Sequence, residues 1–167
     1  MGLRRLRLGT LVTAVALIPI ALASAAAPPV FRGAGIVLHA PPRWFVTTEP
    51  LNGITDPVQR LVLSSFRVPF GADTTNDYVP SSRGVLAQLV EEVPPVANVG
   101  DWRSRPSRFT LPRLGRMETL NGDRWGELLF REHGRHFYLF IWVGRRAPSS
   151  QVLLLLRSLD RMRITAH

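Results

Sequence analysis

Apolar positions are most regularly ordered in residues 121–144, NGDRWGELLFREHGRHFYLFIWVG. Two apolar runs flank His133-Gly134, and this predicts a long β-hairpin over residues 122–143. Gly accepts positive φ freely and His is among the residues enriched there, so the pair suits a type I′ turn. Counting outward sets Glu132 opposite Arg135, an opposite-charge pair beside the turn. Phe130 then faces Phe137, Leu128 faces Leu139 and Gly126 faces Ile141. With side chains alternating at period two, these form one apolar face. The other face carries Arg131 opposite His136, Leu129 opposite Tyr138, Glu127 opposite Phe140 and Trp125 opposite Trp142. A solvated face would be mostly polar, whereas this one is mostly aromatic and calls for partial cover. A slip of one residue would exchange the faces, so the turn decides the assignment.

Shorter β patterns precede the hairpin. Residues 35–39 and 44–48 read as strands separated by Pro41-Pro42, and residues 60–68 as a third. Turn residues fill 49–57 and 69–82. Residues 84–93, GVLAQLVEEV, are ambiguous. Their apolar positions Val85, Leu86, Leu89, Val90 and Val93 lean towards a helix. Residues 94–116 form a Pro- and Gly-rich connector with one short strand expected at 108–111. Residues 117–120 read as an edge strand. After the hairpin, Ala147-Pro148-Ser149-Ser150 opens a helix with Ser149 as the candidate N-cap. Val152 to Leu156 is apolar all round, which predicts a helix buried on most sides. Arg157 and Arg161 suit its C-terminal end, and Arg163-Ile164 reads as a last extended piece.

The first residues stand apart from this pattern. Arg4, Arg5 and Arg7 precede an apolar run over residues 8–23, short for a membrane span. Ala23-Ser24-Ala25 fits a small-x-small cleavage site, so residues 1–25 read as a secretory signal peptide, with an uncleaved N-terminal anchor as the alternative. Either way the rest of the chain is expected outside the cytoplasm. Residues 26–34 then read as a linker and 35–164 as one α+β domain.

Removing residues 1–25 leaves 142 of the 167 residues, enough for one core. The formal charge falls from +9 to +6. Every basic residue is Arg. The absence of Cys removes disulfides, thiolate nucleophiles and thiolate metal sites. The absence of Lys removes Schiff-base, Ser–Lys and P-loop chemistry.

Hydrolase, metalloprotease, EF-hand and dinucleotide motifs are all missing from the sequence. Of the four histidines, His133 belongs to the turn, and His136 faces Arg131, which opposes a metal cation. No metal or cofactor site is therefore expected. Adjacent Glu91 and Glu92 read as a solvated pair. Trp125, Glu127, His136, Tyr138 and Trp142 make a candidate ligand surface on the aromatic face. The purely structural reading instead pairs Glu127 with Arg131 or a loop arginine. Arg103, Arg105, Arg108, Arg113 and Arg116 crowd the connector against Asp101 alone. They could meet an anionic polymer or lipid surface. Aromatic residues are not interleaved among them as base stacking would require, so nucleic acid is not the expected partner.

One resemblance emerges from the motifs taken in order. GIVLHAPPRW, SSFRVP, GVLAQLVEEV, FTLPRLGRME and GRHFYLFIWVGRRAP…LLRSLDRMRI together resemble small uncharacterised exported or membrane-anchored proteins of high-GC bacteria. The likeness spans residues 35–164. It implies a PsbP-like α/β/α sandwich with a central antiparallel sheet, a long C-terminal hairpin and a closing helix, and it implies a strand at 84–93. The chain departs from that pattern in lacking a clear helix between its early strands. The resemblance brings no catalytic residue set.

Two functional expectations follow. The first is a non-catalytic extracytoplasmic cell-envelope module that binds a protein, an anionic polymer or a lipid surface, with the membrane met only through the N-terminal segment. The second is a small enzyme that uses the aromatic face as a pocket, with Glu127 and His136 as its polar groups.

Overall fold

The computed structural model describes residues 28–51, 57–68, 81–93, 102–114, 118–120 and 122–166. The segment 1–25, the turn-rich stretches 52–56 and 69–80, and Asp101, Arg116 and Met117 lie outside the described residues. Ten strands and one α-helix are described: β1 (Val30–Gly33), β2 (Ile36–His39), β3 (Phe45–Thr47), β4 (Val58–Ser64), β5 (Val85–Glu92), β6 (Arg103–Ser104), β7 (Glu118–Leu120), β8 (Asp123–Glu132), β9 (Arg135–Val143), α1 (Ser149–Asp160) and β10 (Arg163–Ile164). A 3₁₀ turn spans Leu111–Leu114.

The strands form two sheets. A seven-stranded sheet runs in the order β3-β4-β5-β9-β8-β6, with β7 also paired to β8. It is antiparallel except where β6 runs parallel to β8. A three-stranded sheet runs β1-β2-β10, with β2 at its centre. The chain is therefore α+β with a dominant antiparallel sheet. Among the described residues α1 is the one α-helix, and its buried side chains join the main core.

The β8–β9 hairpin has the register counted from its turn. Pairs run from Glu132↔Arg135 through Phe130↔Phe137, Leu128↔Leu139 and Gly126↔Ile141, with Arg131↔His136, Leu129↔Tyr138, Glu127↔Phe140 and Trp125↔Trp142 between them. His133 and Gly134 have φ of 52° and 76°, as a type I′ turn needs. Phe130, Phe137, Leu139 and Ile141 are fully buried, and Phe130 stacks on Phe137 at 5.3 Å. They meet Leu61, Leu63, Ala87 and Leu89 of neighbouring strands, Ile36 and Leu38 of the small sheet, and Val152, Leu155 and Leu159 of α1 in one core.

Gly144 directly follows β9, and a side chain there has no room. An added Cβ would lie 2.5 Å from the Ser81–Ser82 backbone. The close approach lets Gly144 N–H donate to Gly84 O at 2.9 Å and Arg146 N–H donate to Ser82 O at 2.7 Å.

Several expectations are corrected. Residues 84–93 are not helical: Val85–Glu92 is strand β5, held between β4 and β9. Its near-continuous apolar run reflects burial on both faces rather than a helical stripe. The third strand lies earlier than expected, at Val58–Ser64. No strand forms at 108–111, since β6 pairs earlier at Arg103–Ser104 and the chain then turns. Ser149 is not a side-chain cap; Pro148 occupies the N-cap position with extended φ and ψ and no side-chain hydrogen bond. Nor is α1 buried on most sides, because Leu153 and Leu154 are 54% and 40% exposed. Within the segment read as a linker, Val30–Gly33 pairs with Ile36–His39 across an Ala34-Gly35 turn at positive φ.

Candidate functional site

The second face of the hairpin is built by the same alternation that builds the core. Every other residue of β9 is half-buried: His136, Tyr138, Phe140 and Trp142. Tyr138 stacks parallel to Phe140 at 6.3 Å. The row therefore presents ring faces along the strand direction, at the roughly 7 Å repeat of alternate residues. Across the ladder on β8, Trp125 and Leu129 are half-buried, whereas Glu127 and Arg131 are exposed.

Each end of the row has its own cover. Trp102, just before β6, stacks on His136 at 4.7 Å with an interplanar angle of 14°, and meets Tyr138 edge-on at 4.9 Å. At the far end Trp142 packs against the cluster of Val62, Val68 and Leu86, as Leu51 and Phe66 also do. Trp102 Nε1, His136 Nδ1 and Trp142 Nε1 are buried and have no hydrogen-bond partner among the described residues. Burial, the charges of Glu92 and Glu127, and a hydrogen bond to Glu92 hold the Tyr138 phenol above its ordinary 10.0.

The candidate ligand residues Trp125, Glu127, His136, Tyr138 and Trp142 thus share one face. Glu127 and His136 do not form a dyad. Glu127 pairs in register with Phe140, four residues from His136 along β9. That separation is about 13 Å at strand spacing. The His136 ring is also covered by Trp102.

The arginines of the connector separate into distinct environments. Arg103, Arg108 and Arg113 are exposed, and Arg116 lies outside the described residues. Arg105 instead belongs to the fold. Its Nη1 donates to both Glu132 oxygens at 3.2–3.3 Å, and its Nη2 donates to Leu159 O at 2.8 Å. A guanidinium on the last carbonyls of α1 also complements the helix dipole. Beside it, Phe109 N–H donates to Asp160 Oδ1 at 2.6 Å.

The expected Glu132–Arg135 pair is not made, although the two residues are in register. Glu132 accepts from Arg105, and Arg135 turns across β9 to Glu91 of β5. Glu91 is buried rather than solvated. Arg135 Nε and Nη2 meet its two oxygens at 2.7 and 2.6 Å, and Arg60 Nε meets Oε2 at 2.5 Å. A bulge in β4 between Gln59 and Leu61 re-aims Arg60 towards this site. Burial opposes the Glu91 charge, but hydrogen bonds from Arg135 and then Arg60, with their positive charges, hold the carboxyl below its ordinary 4.5. Arg135 Nη1 donates to Thr165 O at 3.1 Å, which ties the small sheet's end to the large sheet. This triad is a structural clamp, and both its carboxylate oxygens are occupied.

Among the described residues no group of His, Asp and Glu is arranged to hold a metal ion. Comparison with protein-family models, with curated proteins and with solved structures finds no match to this chain.

Proposed function

We propose that this chain is a non-catalytic module of the cell envelope that acts outside the cytoplasm and binds its partner through the second face of the β8–β9 hairpin. Residues 1–25 direct or anchor it there. The domain in this reading is a PsbP-like variant whose aromatic sheet face serves recognition. The observation that carries the proposal is the half-exposed ring row Tyr138–Phe140–Trp142, extended by Trp125 and bordered by exposed Glu127 and Arg131. Rings held on paired strands offer contact area without a large ordering cost, as binding surfaces favour.

Of a protein, an anionic polymer and a lipid surface, the anionic polymer uses most of these groups. Sugar or other apolar-sided repeat units suit an aromatic surface of this kind. Arg131 lies on the same face, and Arg103, Arg108 and Arg113 are exposed on the connector. The alternative of a small enzyme draws less support, because Glu127 and His136 are far apart and His136 lies under Trp102.

Retention on purified anionic wall polymer tests the reading. Retention should fall with rising salt, and should fall further in Trp125→Ala and in an Arg103/Arg108/Arg113→Gln variant. Equal retention of the parent and both variants would sink it.

A further inference from the structure

Helix α1 turns a second, separate surface outwards. At 3.6 residues per turn, Ser150, Leu153, Leu154, Arg157 and Arg161 fall on one stripe. Leu153 and Leu154 are 54% and 40% exposed, while Val152, Leu155 and Leu159 on the opposite side are buried in the core. A lone exposed leucine needs no explanation. Two adjacent exposed leucines with arginines one and two turns further on make an apolar patch edged by cations, which suits a membrane interface. The apolar pair enters the headgroup boundary and the guanidinium groups stay at its level.

The surroundings of the stripe point the same way. A cleft of about 740 Å³ opens beside it, lined by Pro28, His39, Leu154, Arg157, Arg161 and Arg163 among others. Among the described residues none of those three arginines carries an ion pair. The one acidic residue in the cleft wall, Asp160, already accepts from Phe109 N–H. Pro28 lies only five residues after the apolar run of 8–23. Five extended residues reach at most about 18 Å. If that run sits in a membrane, the cleft lies close to the phosphate layer.

We infer that the Leu153–Leu154–Arg157–Arg161 face of α1, with Arg163, docks on an anionic phospholipid surface, and that the cleft receives a lipid phosphate between its arginines. This surface is on the opposite side of the large sheet from the aromatic row, so the domain meets lipid with one side and leaves the other for its polymer. The inference rests on residues 1–25 staying attached as the membrane anchor, and it is independent of the aromatic face.

The chain has no native Cys, so single labels can be placed cleanly. Full-length protein carrying Leu154→Cys or Glu127→Cys, each with an environment-sensitive fluorophore, is mixed with phosphatidylglycerol or phosphatidylcholine vesicles. Leu154→Cys should shift to the blue and be quenched by a lipid-borne quencher on phosphatidylglycerol, with at least a several-fold weaker response on phosphatidylcholine. Glu127→Cys should stay in water on both. Arg157→Gln/Arg161→Gln/Arg163→Gln should abolish the Leu154→Cys response while the protein remains folded by circular dichroism. Three results would overturn the inference: a chain that sediments with vesicles while Leu154→Cys stays in water, equal responses on both lipids, or a chain that binds neither vesicle. A blue shift already complete without vesicles would show self-association and would overturn it too.

Discussion

Phe137 and Tyr138 are neighbours on β9 and point to opposite faces of the same sheet. Phe137 is fully buried, stacked on Phe130 and capped by the Arg135 guanidinium at 4.9 Å. Tyr138 is half-buried, meets one ring edge-on and another in parallel, and its phenol feels the charge of Glu92. The difference comes from what lies opposite. The Phe137 face is covered by a helix and a second sheet, whereas the Tyr138 face gains its described cover from single side chains such as Trp102. Hydrophobic residues on a strand therefore do not by themselves mark the core. The face that another element covers is the core, and the aromatic face left partly open is the one proposed for recognition.

The largest effect should come from deleting the core side of this pair. Phe137→Ala should cost about 3–5 kcal/mol, from lost transfer energy and the cavity left behind. A domain of this size is stable by only about 5–15 kcal/mol, so the variant should be marginal in urea unfolding. Glu91→Gln should rank close behind. It leaves Arg60 and Arg135 without their shared counter-charge, and breaking a buried ion pair on one side costs about 3–5 kcal/mol. If Glu91→Gln melts like the parent, the clamp between the sheets has been misassigned. Arg105→Ala should cost less, about 1.5–3 kcal/mol, the range for hydrogen bonds to charged groups. Its loss should also increase hydrogen exchange at the C-terminal end of α1.

Two pH effects sharpen the contrast further. Glu91 is held below 4.5, so its contribution is fully present above that value and is lost as pH falls through the folded value. The stability gap between the parent and Glu91→Gln should therefore narrow in acid, and a constant gap would contradict the assignment. Tyr138 lies on the other face and shifts upward. Its neutral phenol contributes stability below 10.0 that is lost as pH rises through the raised folded value. In a Tyr78→Phe background, tyrosinate absorbance should rise at a pH above that of a free tyrosine. Titration at the ordinary value would mean that Tyr138 is neither buried nor held near Glu92 in solution.

The hairpin was legible in the sequence because its register depends on one local signal. His133-Gly134 sets the turn, and period two then assigns every side chain of β8 and β9. The rest depended on which distant segments lie alongside. The fate of Glu91 follows from β5 lying next to β9 and from a bulge in β4, and neither can be counted from a turn. The same neighbours explain why residues 84–93 mimic a helical stripe: a central strand buried on both faces loses its alternation. Leu153 and Leu154 failed the expectation of burial because apolar content alone does not say how many elements surround a helix. The candidate ligand surface was legible as a face, since alternation groups Trp125, Glu127, His136, Tyr138 and Trp142. Its main described cover was not. Trp102 reaches His136 only because β6 adds to β8 in parallel, which no spacing in the connector signals.

The central claim is that one face of the β8–β9 hairpin holds the fold together and the other is spared for binding. Side-by-side equilibrium urea unfolding of Phe137→Ala and Tyr138→Ala tests it most directly. Phe137→Ala should lose about 3–5 kcal/mol, and Tyr138→Ala, whose ring is only partly removed from water, about 1–2 kcal/mol. A larger loss for Tyr138→Ala than for Phe137→Ala would contradict the account, because the aromatic face would then be the core and could not be the proposed recognition surface.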